Sequence, residues 1–183
     1  MTCFNFFSHG TQDLYPTFLA KQHGLPEGVV GLIAVIYNVG AIAGGIFFGT
    51  LSERFGRRRS IIVAALLSLP ILPLWAFSSG TVLLALGAFL MQVMVQGAWG
   101  VIPVHLNELS PDAVRGMFPG LAYQLGNLIA SVNAPLQASI AERHGGEYSL
   151  ALAIVAGVTA IVIALLAAFS TERKDVPLSL IHI

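Results

Sequence analysis

The sequence predicts an all-α membrane protein folded as a bundle of six transmembrane helices. Three observations carry that expectation. Of the 183 residues, 56% are hydrophobic and only 10% are charged, against about a quarter charged in an ordinary soluble domain. No Asp, Glu, Lys or Arg occurs between Ser60 and Val104, a run that a bilayer accommodates directly and a water-facing fold of this size does not. The other charge-free stretches each approach the roughly 20 residues that one crossing needs.

The same composition excludes several functions. Nine Lys+Arg offset nine Asp+Glu, so there is no basic face for nucleic acid. The single cysteine, Cys3, rules out a disulfide framework and a thiolate metal cage. His105, His144 and His182 lack metal-ligand spacing, so no metal site is expected. There is no phosphate-cradling G-x-x-x-x-G-K-[ST] loop, so nothing points to ATP.

Taken in order, the spans fall at about 3–20, 29–50, 60–78, 81–104, 117–140 and 148–169. The charge-free run from Ser60 is too long for one helix and breaks at Ser78-Ser79-Gly80, a turn signal. Residues 1–170 therefore read as one six-helix bundle in the lipid bilayer, and 171–183 as a disordered cytoplasmic tail. Arg54, Arg57, Arg58, Arg59, Arg115, Arg173 and Lys174 fall on one side of such a bundle, Lys21 and Arg143 on the other. That asymmetry predicts a multi-pass protein of the cell membrane with both termini cytoplasmic. A signal peptide is not expected, because the start has no basic lead and carries Asp13 where the apolar segment should run. Met1 opens almost directly into membrane residues and Pro177–Ile183 is a short apolar tail, so the chain reads as part of a longer one.

The first span carries the chemistry. Asn5, His9 and Asp13 recur at i, i+4 and i+8 and line one helical face, with Ser8 and Gln12 beside them at the same repeat. An ionised Asp near mid-membrane costs roughly 2.5–3.5 kcal/mol on insertion scales, so this stripe belongs in a bundle interior or a wet cavity. It reads as a proton or substrate site, with His9 and Asp13 the proton-handling pair. The simpler reading is a His–Asp hydrogen bond that pins the helix to its neighbours.

The string Asn5-Phe-Phe-Ser8-His9-Gly-Thr11-Gln12-Asp13-Leu-Tyr-Pro-Thr17 resembles the signature N-x-x-[ST]-H-x-[ST]-Q-D-x-x-x-T at every fixed position. That pattern marks the seventh helix of the lactate/pyruvate:proton symporters, in the sialate:proton symporter branch of the major facilitator superfamily. The resemblance implies that the six spans are helices seven to twelve, one half of a twelve-helix major facilitator fold. It also implies a missing partner bundle, either an N-terminal six-helix half or a second copy of this one.

Two loops extend the resemblance. Gly49-Thr-Leu-Ser-Glu53-Arg54-Phe-Gly56-Arg57-Arg58 is similar to the superfamily's G-x-x-x-D-R-x-G-R-R loop, with Glu53 at the acidic position. It implies a cytoplasmic gate in which Gly49 allows close helix approach and Glu53 exchanges ion pairs with the arginines; positive-inside topology alone also explains Arg57 to Arg59. Glu108-Leu-Ser-Pro111-Asp-Ala-Val-Arg115-Gly116 is similar to the E-x-x-P-x-x-x-R-G sequence after helix four or ten, and would hold two helix ends together.

In the fifth span, Tyr123-Gln124-Leu-Gly-Asn127 resembles helix eleven of the lactate symporters and implies that Gln124 and Asn127 bind substrate. With Asn5 and Gln12 they make the expected substrate set, amides that take a carboxylate without burying another charge. Gln92 and Gln96, at i and i+4 in the fourth span, read as interhelical hydrogen bonds. Gly40, Gly44, Gly45 and Gly49 form two small-xxx-small pairs suited to tight packing. Pro70, Pro73, Pro103, Pro119 and Pro135 mark tolerated kinks.

The expected function is secondary transport coupled to a proton, with no cofactor, carrying a small carboxylate such as lactate, pyruvate or sialic acid. No span holds a central Arg or Lys, so a carboxylate finds its counter-charge here only in protonated His9. A structural or assembly protein is the alternative; a membrane enzyme lacks a nucleophile or metal set beside His9 and Asp13.

Overall fold

The computed structural model describes residues 1–170, apart from the side chain of Asp112; the tail expected at 171–183 lies outside the described residues. Every regular element among them is helical. In order these are α1 (Thr2–Gln12), α2 (Tyr15–Lys21), α3 (Glu27–Phe55), α4 (Arg57–Ser68), α5 (Leu72–Ala76), α6 (Thr81–Leu109), α7 (Phe118–Ala130), α8 (Asn133–Arg143) and α9 (Tyr148–Phe169). Single 3-10 turns, Leu69–Ile71 and Asp112–Val114, stand before α5 and α7.

Among the described residues, four units are long and apolar enough to cross a membrane: Glu27–Phe55, Arg57–Ala76, Thr81–Leu109 and Tyr148–Phe169. The expected first and fifth spans are instead pairs of shorter helices, α1 with α2 and α7 with α8. Proline explains both breaks. Pro16 lies in the first turn of α2 and has no N–H to bond the Gln12 carbonyl, so the chain turns through Asp13 and Leu14. Pro135 lies in the first turn of α8 and does the same to Ser131. Pro70 and Pro73 open the 3-10 turn and α5, whereas Pro103 sits inside an unbroken α6.

The most extensive packing is α3 against α6, and glycine makes it possible. A Cβ on Gly40 would sit 2.5 Å from the Phe89 carbonyl oxygen, and one on Gly44 would overlap the Val93 backbone. Backbones this close trade side-chain volume for dispersion contact, the main attraction between helices in lipid. Gly49 is a correction to the expected close approach: nothing lies within 4 Å of its Cβ position among the described residues. The outer face of α3 leaves Leu32, Val35, Val39, Ile42 and Ile46 exposed, an apolar stripe of the kind a bilayer or another helix covers.

The centre is aromatic. Tyr15 of α2 stacks on Trp75 of α5 at 5.2 Å and meets Phe18 at 5.4 Å, all three fully buried. The Tyr15 hydroxyl lies 3.2 and 3.1 Å from the carbonyl oxygens of Trp75 and Leu84, so this buried hydroxyl has an acceptor. Around it α1 packs on α9, α7, α6 and α8, while α4 packs on α6 and α9.

Candidate functional site

The helix α1 is held in the bundle by amide side chains. Gln137 of α8 donates to the Gly10 carbonyl at 2.7 Å, and Asn133 donates to the Phe6 carbonyl at 3.1 Å. Gly10 lies near the end of α1, so Gln137 satisfies a carbonyl that the helix itself leaves unpaired. On the α6 side, Gln12 donates to Gln92 at 2.8 Å, Gln92 donates to Thr11 at 3.1 Å, and Gln96 donates to Ser8 at 2.9 Å. Asn5 donates to the Tyr123 carbonyl of α7 at 3.2 Å. The interhelical role expected for Gln92 and Gln96 is what both perform.

This clamping presents the polar stripe to a cavity of about 280 Å³. Asn5, Ser8, His9 and Gln12 line it from α1, Gln96 and Trp99 from α6, and Tyr123 and Asn127 from α7. Trp99 and Tyr123 meet edge to face at 5.7 Å across its wall. No Lys or Arg is among the lining residues.

His9 is the hub. Its Nδ1 lies 3.2 Å from Asp13 Oδ2 and its Nε2 lies 3.4 Å from Asn127 Oδ1. Both neighbours are acceptors as placed, so a ring with a proton on each nitrogen satisfies both. A neutral ring satisfies one, and the other contact then needs the Asn127 amide turned to offer its Nδ2. The His9 and Asp13 side chains are 42% and 39% exposed, so the pair faces outward from this bundle rather than into its core.

Of the expected substrate residues, Asn5, Gln12 and Asn127 reach the cavity and Gln124 does not line it; Gln124 is exposed on α7. The lining face of α7 runs through Tyr123 and Asn127, an i, i+4 pair, and Gln124 lies about 100° round the helix from Tyr123. Sequence reasoning did not single out Tyr123 or Trp99 as lining residues, nor Gln96; their i+4 and i+3 steps along single helices were the available signal.

At the arginine-rich end, Gly56 joins α3 to α4 with φ 94° and ψ 148°, a conformation reserved for glycine. That bend brings Arg57 back over the bundle, where its Nη1 donates to Ser52 Oγ at 2.6 Å and its Nε meets Glu108 Oε1 at 3.2 Å. The ion pair therefore joins the two loops to each other. Glu53 and Arg54 are exposed, and the pairing expected for Glu53 is made by Glu108 instead. Arg58 donates to the carbonyls of Ala168 and Ser170 at the end of α9, a cation on a helix C-terminus. Arg115 lies 3.4 Å from the Ser110 carbonyl. At the opposite end Gln22 both donates to Ser149 Oγ and accepts from its N–H, each at 3.1 Å, capping the start of α9.

The profile of the Major Facilitator Superfamily matches residues 1–180. The chain belongs to that superfamily. It is 36% identical over 152 residues to a carboxylic acid transporter protein homolog of Saccharomyces cerevisiae, covering 82% of this chain and 24% of that protein. It is 27% identical over 183 residues to the sialic acid transporter NanX of Escherichia coli, covering 98% of this chain and 44% of that one. It is 30% identical over 146 residues to the glucose transporter GlcP of Staphylococcus epidermidis, covering 79% and 32%. The chain thus spans less than half the length of these relatives. All three carry the names of transporters rather than enzymes, and the long apolar helices belong to a multi-pass membrane protein.

Proposed function

We propose that this chain is the proton-binding half of a symporter for a small carboxylate. The observation that carries the reading is His9 between two acceptors, Asp13 and Asn127, at the rim of a polar cavity. A half-exposed carboxylate in the middle of a spanning segment is costly against lipid, so the exposed side of the pair faces water and a second bundle. That bundle is an N-terminal six-helix half or a second copy. Binding between two bundles that rock about a midplane site is the general scheme for such transporters.

The cycle starts with a proton on His9, held by Asp13 at one nitrogen and Asn127 at the other. The imidazolium is the one cation on this side of the cavity, so a carboxylate binds after the proton and not before. The amides of Asn5 and Gln12, both on the cavity wall, then complete its hydrogen bonds. Proton loss on the far side leaves the anion without its counter-charge and releases it. No cofactor is required; the proton is the coupling ion. With the arginine-rich end cytoplasmic, both termini lie inside. There Arg57–Glu108, with Gly49, Glu53, Arg54, Gly56, Arg58 and Arg115 around it, forms the gate that opens as the bundles rock.

The names of the yeast and E. coli relatives support a carboxylate. A sugar is the second reading, favoured by the amide and aromatic lining, the lack of Lys or Arg in it, and the likeness to a glucose transporter. Uptake into proteoliposomes separates them, with the chain joined to the N-terminal half of the yeast relative. Labelled lactate and sialic acid accumulating with an inward proton gradient, and not in His9→Ala, support the symporter. Gradient-independent glucose uptake supports the sugar reading, and no uptake of any kind from folded protein supports a purely structural role.

A further inference from the structure

A second cavity, of about 380 Å³, lies at the arginine-rich end between the last turns of α3 and the first of α4. Leu51 and Phe55 line it from α3, Ile62 and Val63 from α4, with Ser60 and Arg59 at its edge. Phe55 and Val63 are exposed, at 58% and 46%, so the cavity is a groove on the outside of the bundle. Its lining is apolar, and Ser60 spends its hydroxyl proton on the Gly56 carbonyl at 2.9 Å. A polar occupant would find nothing to bond along its length.

The three consecutive arginines divide their work. Arg57 is engaged by Glu108 and Ser52, and Arg58 by the end of α9. Arg59 is exposed and makes no hydrogen bond or ion pair among the described residues; Glu53, exposed nearby on α3, does not hold it. An apolar slot ending in an uncommitted guanidinium, at the charged boundary of membrane-spanning helices, matches one amphipathic partner by chemistry. Its tail is hydrocarbon and its head is an anion.

We propose that this groove seats an acyl chain of an anionic phospholipid whose phosphate is held by Arg59. The groove side chains take the place of neighbouring lipid tails, while the Arg59 stem lies along apolar surface and its head reaches the phosphate plane. Arg59 supplies charge selectivity and the groove supplies residence. A basic residue near an anionic lipid surface is worth about fivefold in binding, which sets the size of the effect.

The test is native mass spectrometry of the detergent-solubilised full chain, titrated with phosphatidylglycerol or phosphatidylcholine of matched tails. The parent is expected to prefer phosphatidylglycerol about fivefold. Arg59→Gln should erase that preference and Arg54→Gln should keep it. Val63→Trp, which fills the groove from its open side, should weaken both lipids alike. Equal losses in Arg59→Gln and Arg54→Gln would overturn the proposal in favour of a diffuse basic surface. Binding untouched by Val63→Trp would overturn the groove, and loss of bound lipid on joining an N-terminal half would assign the groove to a protein partner.

Discussion

The Nε2 of His9 lies 3.4 Å from Oδ1 of Asn127, although 118 positions separate the two in the chain. That contact ties α1 to α7 across the cavity and gives the imidazole a second acceptor besides Asp13. Replacing Asn127 by Leu removes the acceptor and leaves the ring satisfied at one nitrogen. A hydrogen bond to a charged group contributes about 1.5–3 kcal/mol, so proton-driven uptake should fall at least tenfold. Asn127→Asp, which keeps an acceptor, should fall less. Initial uptake rates in proteoliposomes, alongside a folding check by thermal melt, decide between them.

Tight packing of α3 on α6 rests on Gly44 and not on Gly49. Gly44→Val drives a side chain into the Val93 backbone, and overpacking of this kind costs roughly 1–3 kcal/mol or more. Gly49→Ala meets nothing and should be neutral. Melting temperatures in detergent should drop clearly for the first and stay put for the second.

The Arg57–Glu108 pair is half-buried, with side chains 18% and 27% exposed. A double-mutant cycle with Arg57→Gln and Glu108→Gln should return a coupling of about 1 kcal/mol, the upper range for such pairs. The corresponding cycle between Arg57 and Glu53 should return none, because Glu53 is not its partner.

His23 gives the stability of the α2–α3 connection a pH dependence. Its ring packs edge-on against Phe18 at 4.7 Å, and its Nε2 is buried without a hydrogen-bond partner among the described residues. Burial lowers its pKa below the usual 6.5, so the unfolded chain binds the proton more readily than the folded one. The neutral ring's contribution is therefore complete above about pH 6.5 and is lost as pH falls below it. Melts from pH 7.5 to pH 5 should show this decline, and His23→Phe, which keeps the aromatic contact, should flatten it.

Much of this was legible in the sequence, for identifiable reasons. The helical class and the long helices follow from charge-free runs of bilayer length. The His9–Asp13 contact follows from i, i+4 spacing on one helix. The broken first and fifth spans were harder, because a largely apolar run of bilayer length reads through a proline that the backbone does not. Asn127 and Gln124 both stand in the same short string, and only the rotation of α7 against α1 separates the one that lines the cavity from the one that does not. The Arg57–Glu108 pair depends on the positive φ at Gly56, which redirects the chain after α3 and lies outside any spacing rule. The i+3 step puts Gln96 and Trp99 on one face of α6, but they reach the cavity only because that face packs beside α1.

The most direct test is the number of protons taken up when a carboxylate binds. Lactate titrations by calorimetry at pH 7.5, in buffers of different ionisation enthalpy, measure it on the chain joined to an N-terminal half. If His9 must carry a proton for the anion to bind, proton uptake accompanies lactate binding, and His9→Gln abolishes both the uptake and the tight binding. Lactate binding with no proton uptake, or uptake that survives unchanged in His9→Gln, would contradict a proton-coupled role for this histidine.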